Sequence, residues 1–352
     1  MRSLLIALLL APLALPAQSF DCKLAQSPRE KAVCADTRLS ALDSEIAAGY
    51  KSLRAQLSPT SAALVQSDQR EWLHWIDLVC PASGNAVESN QTRCLQNQYF
   101  TRAHDLEHAT RIGSTLIFPR THFLFKSNPA IGNNASPVNP GIGYGSLRWP
   151  QIDRPNTAQS AFNDAAKARA AKLAVGIDPE HKNSTFTTAV DTQGVIDAYY
   201  TIAAANDRLI AVTFTDGYYS WGAAHPVTGS SSFLWWLDRN RELTTTDVFL
   251  PNSAWQQKLV PLAIAGLQSN PDIKDMLWKG DGLKNPVQQA VPDPRNWTPT
   301  RDGLAITFGQ YAVGPYVIGM PQAHLRWNDL KSLLAPTLQP ATLPAPITKP
   351  NP

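Results

Sequence analysis

The chain has 352 residues, with 31 basic and 28 acidic side chains and 43% hydrophobic residues, enough apolar content for a substantial core. Residues 20–110 carry 9 basic and 11 acidic side chains, and residues 111–352 carry 21 and 17. Neither part has the basic excess of a nucleic-acid binder, so that class is excluded. The amino terminus combines Met1-Arg2, an apolar run from Leu4 to Leu10 that continues to Leu15, and the small-residue exit Ala17-Gln18-Ser19. These are the parts of a secretory signal peptide, predicted over residues 1–19 with the mature start at Phe20 and cleavage after Ala17 as the alternative. The run is shorter than the roughly 20 residues needed to span a bilayer. Phe20-Asp21 before Cys22 does not fit a lipidation site, and no later segment reads as a membrane anchor. A soluble periplasmic or secreted protein is expected.

All four cysteines, Cys22, Cys34, Cys80 and Cys94, fall between residues 20 and 110. In an exported chain they read as two disulfides, and no close pair suits zinc. Of three connectivities, Cys22–Cys34 with Cys80–Cys94 is favoured because each closes a short loop; Cys34–Cys80 is also geometrically reasonable. The same segment is predicted helical. Ser27-Pro28-Arg29-Glu30 is a helix start with a capping box. Leu39, Leu42, Ile46, Tyr50, Leu53 and Leu57 form one stripe of an amphipathic helix. Ser58-Pro59 opens a second long helix with Leu64, Trp72, Ile76 and Val79 inward, and Cys94, Leu95, Tyr99 and Leu106 mark a third. Short connections predict an antiparallel bundle tied by disulfides.

Residues 111–145, dense in Gly, Pro and Asn, read as a linker or irregular lead-in. A helix is predicted around Ala158–Leu173. Strands Val195–Ala204 and Arg208–Asp216 flank the turn Asn206-Asp207, and Ser232–Leu237 and Leu243–Thr246 flank Asp238-Arg239-Asn240. A helix over Ser253–Gln268 contains Pro261, expected to kink it. Leu304, Ile306 and Phe308 alternate as a strand, and Ala323–Trp327 is a last strand before a short helix opened by Asn328. Strands and helices without regular alternation make the fold class α+β, with an antiparallel sheet in the carboxyl-terminal domain. The Pro-rich tail, 336–352, is expected to be disordered or extended.

Two resemblances cover most of the chain. Phe20-Asp21-Cys22, Val33-Cys34, Leu39 with Leu42-Asp43, Tyr50, Gln69-Arg70-Glu71-Trp72-Leu73, Cys80, and Cys94-Leu95 with Tyr99 and Arg102 resemble the LprI-type lysozyme-inhibitor domain over residues 20–110. Residues 146–335 resemble the extracellular part of RsiV-type anti-sigma factors, including the portion shared with PdaC-type deacetylases. That likeness rests on Tyr218-Tyr219-Ser220-Trp221-Gly222-Ala223-Ala224-His225, Leu243 with Asp247-Val248-Phe249, and Tyr311-Ala312-Val313-Gly314-Pro315-Tyr316 with Gly319. It departs at Ala223, where a second glycine is usual, and at Arg239-Asn240-Arg241. The resemblances imply an exported protein that binds, and inhibits, lysozyme or a related glycan hydrolase. Peptidoglycan is a further candidate partner, and no cofactor is implied.

A lysozyme cleft holds two carboxylates, and a loop that blocks it needs hydrogen-bond donors and aromatic surface. Tyr218, Tyr219, Ser220, Trp221 and His225 in one segment, and Tyr311, Pro315 and Tyr316 in another, supply that content and are the candidate binding residues. The plainer alternative packs these aromatics into the domain's own core. His104-Asp105-Leu106-Glu107-His108 matches H-x-x-E-H, an arrangement that can hold zinc, but no third ligand is identifiable. No nucleophile elbow, phosphate loop, dinucleotide fingerprint or calcium loop occurs. A non-catalytic binding protein is therefore expected, with a cell-envelope glycan hydrolase or deacetylase, or a peptidoglycan-binding module, as the alternatives.

Overall fold

The computed structural model describes residues 19–81, 91–107, 109–128, 130–131, 136, 140–176 and 194–347. The signal-peptide segment up to residue 18, residues 82–90 between the second and third predicted long helices, and His108 lie outside the described residues.

Four helices come first: α1 (Pro28–Ala35), α2 (Thr37–Gln56), α3 (Pro59–Val79) and α4 (Gln91–Glu107). Their starts follow from local chemistry. Ser27 accepts the Glu30 amide while Glu30 accepts the Ser27 amide, and Pro28 loses nothing at a position whose N–H has no helical partner. Asp36 and Ser58 cap α2 and α3 in the same way. The disulfides are Cys22–Cys34 and Cys80–Cys94. The α2 stripe is buried at Leu39, Leu42, Ile46 and Leu53. On α3 the buried set is wider than expected, with Val65 and Trp75 joining Trp72, Ile76 and Val79 while Leu64 is only half-buried. The reason is that α3 faces two partners. Trp72 meets Tyr99 of α4, with ring centroids 5.1 Å apart, whereas Trp75 meets Phe123, also at 5.1 Å, on the sheet.

That sheet has seven strands in chain order: β1 (Thr110–Ile112), β2 (Thr115–Ser127), β3 (Ile142–Ile152), β4 (Gly194–Ala205), β5 (Leu209–Ser220), β6 (Val227–Trp236) and β7 (Arg241–Glu242). All neighbours are antiparallel except β3 and β4, between which the chain passes through α5 (Thr157–Gly176). The segment expected to be a linker therefore holds β1, β2 and the start of β3. Its Gly and Pro residues masked a hairpin arm whose Leu116, Phe118 and Phe123 enter the helical core. Beyond Ile117 the outer edge of β2 has no strand partner among the described residues, and α3 covers it. Asp68 accepts from the Thr121 amide, Glu71 from the Phe123 amide, and Trp75 Nε1 donates to the Leu124 carbonyl at 2.7 Å. An exposed edge strand is thereby closed by side chains.

Alternation along β5 and β6 gives the sheet two apolar faces. Ile210, Val212, Phe214, Phe233 and Trp235 pack under Phe162, Ala166 and Ala170 of α5. Ala211, Leu234 and Trp236 pack on the other side against the carboxyl-terminal elements. These are α6 (Thr245–Val248), α7 (Trp255–Gln268), α8 (Asp281–Ala290), a second antiparallel sheet of β8 (Trp297–Thr300), β9 (Gly303–Thr307) and β10 (Gln322–Leu325), and α9 (Trp327–Leu330). The turn at Asn206 forms as expected, its side-chain oxygen accepting the Arg208 and Leu209 amides. The Leu243–Thr246 strand does not form. Asp247 accepts the Thr244 amide and starts a helical turn there instead. The tail also departs from expectation as far as residue 347: Leu338 and Leu343 are buried, and the Ile347 amide donates to Ala203. Two isolated leucines suffice to anchor a segment that shows no periodicity.

Candidate functional site

The tip between β5 and β6 is built by Gly222, whose positive φ of 82° lets the chain reverse after the Ala223 amide donates back to Ser220. From there to Val227 every residue is exposed. The second segment follows β9. There the Tyr311 backbone is left-handed (φ +64°), and no side chain fits at Gly314, where a Cβ would strike the Ile318 side chain and come within 3.0 Å of the Met276 carbonyl. Pro315 accepts the Ile318 amide in a short helical turn, Tyr316–Ile318.

The two segments meet. His225 lies between Tyr311 and Tyr316, with ring centroids 6.3 and 4.2 Å away. Its Nδ1 is 3.0 Å from the Pro226 carbonyl and its Nε2 is 3.3 Å from the Tyr311 hydroxyl. A proton on Nδ1 satisfies the carbonyl and leaves Nε2 to accept from Tyr311. The Thr228 amide donates to Gln310 at 3.2 Å, fixing strand to loop. The other aromatics of the first segment go elsewhere. Tyr218 packs beside Leu124, Leu147, Ile196 and Ala198. Trp221 donates to the Ile142 carbonyl at 2.7 Å and lies near Tyr144 and Tyr219. Tyr218 and Trp221 thus turn back against the sheet, with Tyr219 beside Trp221 and Ser220 at the turn, while His225, Tyr311 and Tyr316 form the converging cluster and Pro315 opens the Tyr316–Ile318 turn.

Sequence reasoning missed Trp278. Its amide donates to Val313 and its indole Nε1 to the Tyr311 carbonyl at 3.3 Å, yet the residue stays 41% exposed. Val227, Met276, Tyr311 and Val317, on the same or adjoining segments, are exposed too. A Trp directly before the turn-forming Lys279-Gly280-Asp281-Gly282 was the signal available. On α4, His104 stacks against Phe100. Among the described residues no group of three or more His, Cys, Asp and Glu side chains could hold a metal ion, and no helix is long and apolar enough to cross a membrane.

Fold and surface together define a disulfide-tied helical module joined to an α+β domain that presents a rigid pair of aromatic loops. Comparison with known families makes this more particular. Residues 22–106 match the family described as lysozyme inhibitor LprI, and residues 246–328 match DUF3298, described as a protein of unknown function. The chain carries an LprI lysozyme-inhibitor domain at its amino-terminal end and a DUF3298 domain toward its carboxyl-terminal end. The DUF3298 match includes Tyr311–Tyr316 but not the β5–β6 tip. Two solved DUF3298 structures are similar to it. One, from Bacteroides fragilis NCTC 9343, is 13% identical, with 62% of this chain and 93% of that one covered and a TM-score of 0.42. The other, from Pseudomonas aeruginosa PAO1, is 11% identical, with 63% and 94% covered and a TM-score of 0.42. None of the curated proteins compared with the chain matches it.

Proposed function

We propose that this is an exported, non-catalytic protein that captures and inhibits lysozyme in the periplasm or outside the cell, using the paired loops around His225, Tyr311 and Tyr316. The observation that carries the reading is the convergence of those loops into one exposed aromatic surface, on a chain that also holds an LprI domain. Tyr and Trp contribute large contact area at low entropic cost, and binding energy concentrates in such residues. The Tyr311–Tyr316 turn carries an exposed aromatic at Tyr311, and the Tyr316 hydroxyl can donate to a catalytic carboxylate. Export is supported by the amino-terminal pattern and by two disulfides, which persist in oxidising compartments.

With 30 basic and 28 acidic side chains from residue 20 onward, the mature chain has little long-range attraction to a basic enzyme, so affinity must come from shape and local contacts. The test is to titrate the purified protein into lysozyme acting on cell-wall substrate. Inhibition at micromolar protein is expected, weakened about tenfold or more by Tyr311→Ala with Tyr316→Ala. Full lysozyme activity and no complex at that concentration would sink the proposal. Release of acetate or sugar by the protein alone would favour a hydrolase or deacetylase.

A further inference from the structure

We propose that the cleft between α4 and the diverging strands β3 and β4 is a saccharide-binding site that takes neutral pyranose rings. The inference stands apart from lysozyme capture, since it uses no residue of the paired loops.

The cleft arises from topology. β3 and β4 pair only from Tyr144 with Val195 to Leu147 with Ala198, and then separate. Arg148 and Tyr199 are the first residues past the fork. The Arg148 guanidinium, almost wholly buried, donates Nε to Asp105 of α4 and Nη1 to Asp197 of β4, both at 2.7 Å. Ser146 Oγ donates to the same Asp197 oxygen at 2.5 Å. One oxygen of each carboxylate, Asp105 Oδ1 and Asp197 Oδ2, has no hydrogen-bond donor among the described residues. Above them lies a hollow of about 220 Å³ walled by Phe100 and Tyr199, which are 58% and 45% exposed. Tyr200 also lines it. That side chain is 92% buried, and its hydroxyl has no hydrogen-bond partner among the described residues. Burial first, and then the nearby Asp105 charge, push its phenol well above the usual range, so it remains a donor.

These features select a ligand chemistry. Alternation turns Tyr200 toward Phe214 on the α5 face, so the polar groups offered to a guest are the two carboxylates. Two aspartates face one arginine in the floor, with His104 beside Phe100 in the wall, and the excess carboxylate disfavours anions. A guanidinium fixed in the floor disfavours the organic cations that aromatic walls otherwise attract. A neutral ligand remains, with apolar faces for Phe100 and Tyr199 and hydroxyl donors for the two carboxylates. A pyranose ring has both. The neighbouring hollow continues the pattern: it measures about 570 Å³ and begins at Thr201, one alternation farther along β4. Thr213, Thr298, Thr300 and Gln322 line it together with Asp302, His324 and Arg326, so it offers hydroxyl, amide and charged groups to further rings of the same chain.

The experiment is calorimetric titration of the full chain with two neutral probes, chitotetraose and cellotetraose. Saturable binding of at least one is expected, weakened about tenfold by Phe100→Ala or Tyr199→Ala and unchanged by Tyr311→Ala. Both variants alter exposed side chains, and circular dichroism verifies that they are folded. The inference is overturned by absence of saturable binding at about 5 mM of either probe, or by binding that neither variant weakens. Equal affinity for tetramethylammonium with the same dependence on Phe100 and Tyr199 also overturns it. Loss of lysozyme inhibition with saccharide binding intact leaves it standing.

Discussion

Asp247 shows how much one side chain can organise. Almost fully buried, it accepts from Arg239 and Arg241, from the Thr244 hydroxyl at 2.9 Å and from the Thr244 amide at 2.8 Å. Burial alone would raise its pKa, but the bonds from Arg241 and Thr244 prevail and hold the carboxyl well below the usual range. A depressed folded-state pKa means stability that is present above the unfolded value, near pH 4, and lost as pH falls toward the folded one. Asp247→Asn is expected to cost about 2–4 kcal/mol in urea unfolding near neutrality, with the gap to the unaltered protein narrowing toward about pH 2. Tyr311 presents the opposite case. Its left-handed backbone costs about 1–2 kcal/mol for a residue with a Cβ, and glycine adopts it freely. Tyr311→Gly should therefore leave the melting temperature unchanged or higher while weakening lysozyme capture. A large loss of stability would show that Tyr311 serves the fold and not the surface.

At the level of elements, α3 does two jobs, closing the bundle with Trp72 and sealing the β2 edge with Asp68, Glu71 and Trp75. Arg120 donates to both oxygens of Asp68, at 2.7 and 2.9 Å, and is itself mostly buried. Removing one partner of such a pair strands the other charge, so Asp68→Ala should cost about 3–5 kcal/mol in denaturant unfolding. This joint also marks where the sequence stopped being readable. The α2 stripe, the Ser27 capping box and the short-loop disulfides could be read because each depends on residues within a few turns of chain. That Trp75 would meet Phe123 could not, since the partner lies in a Gly- and Pro-rich neighbourhood that hides a strand. The candidate site divides the same way. Aromatic content pointed to both loops, but only tertiary structure shows that His225 joins Tyr311 and Tyr316 while Tyr218 and Trp221 turn back. The Asp105–Arg148–Asp197 arrangement had no local signature at all.

For the molecule as a whole, strand residues Leu116, Phe118 and Phe123 belong to the same core as Leu39, Trp72 and Tyr99. Ser58 and Asp153 add a further tie, through both the amide and the hydroxyl of Ser58. Helical module and sheet therefore share a core, and neither should melt first. Tryptophan fluorescence and far-ultraviolet circular dichroism are expected to trace one coincident urea transition. Two separated transitions would mean that the modules are independent.

The segment 336–347 carries a consequence of its own. Leu338 and Leu343 complete the carboxyl-terminal core, Pro346 bridges to Ala204, and Asn206 donates to the Thr342 carbonyl. Though more than 130 residues away in sequence, they fasten the middle strand of the large sheet. A chain cut after Ala335 would lack this latch, leaving the sockets of Leu338 and Leu343 open to chaperones and proteases.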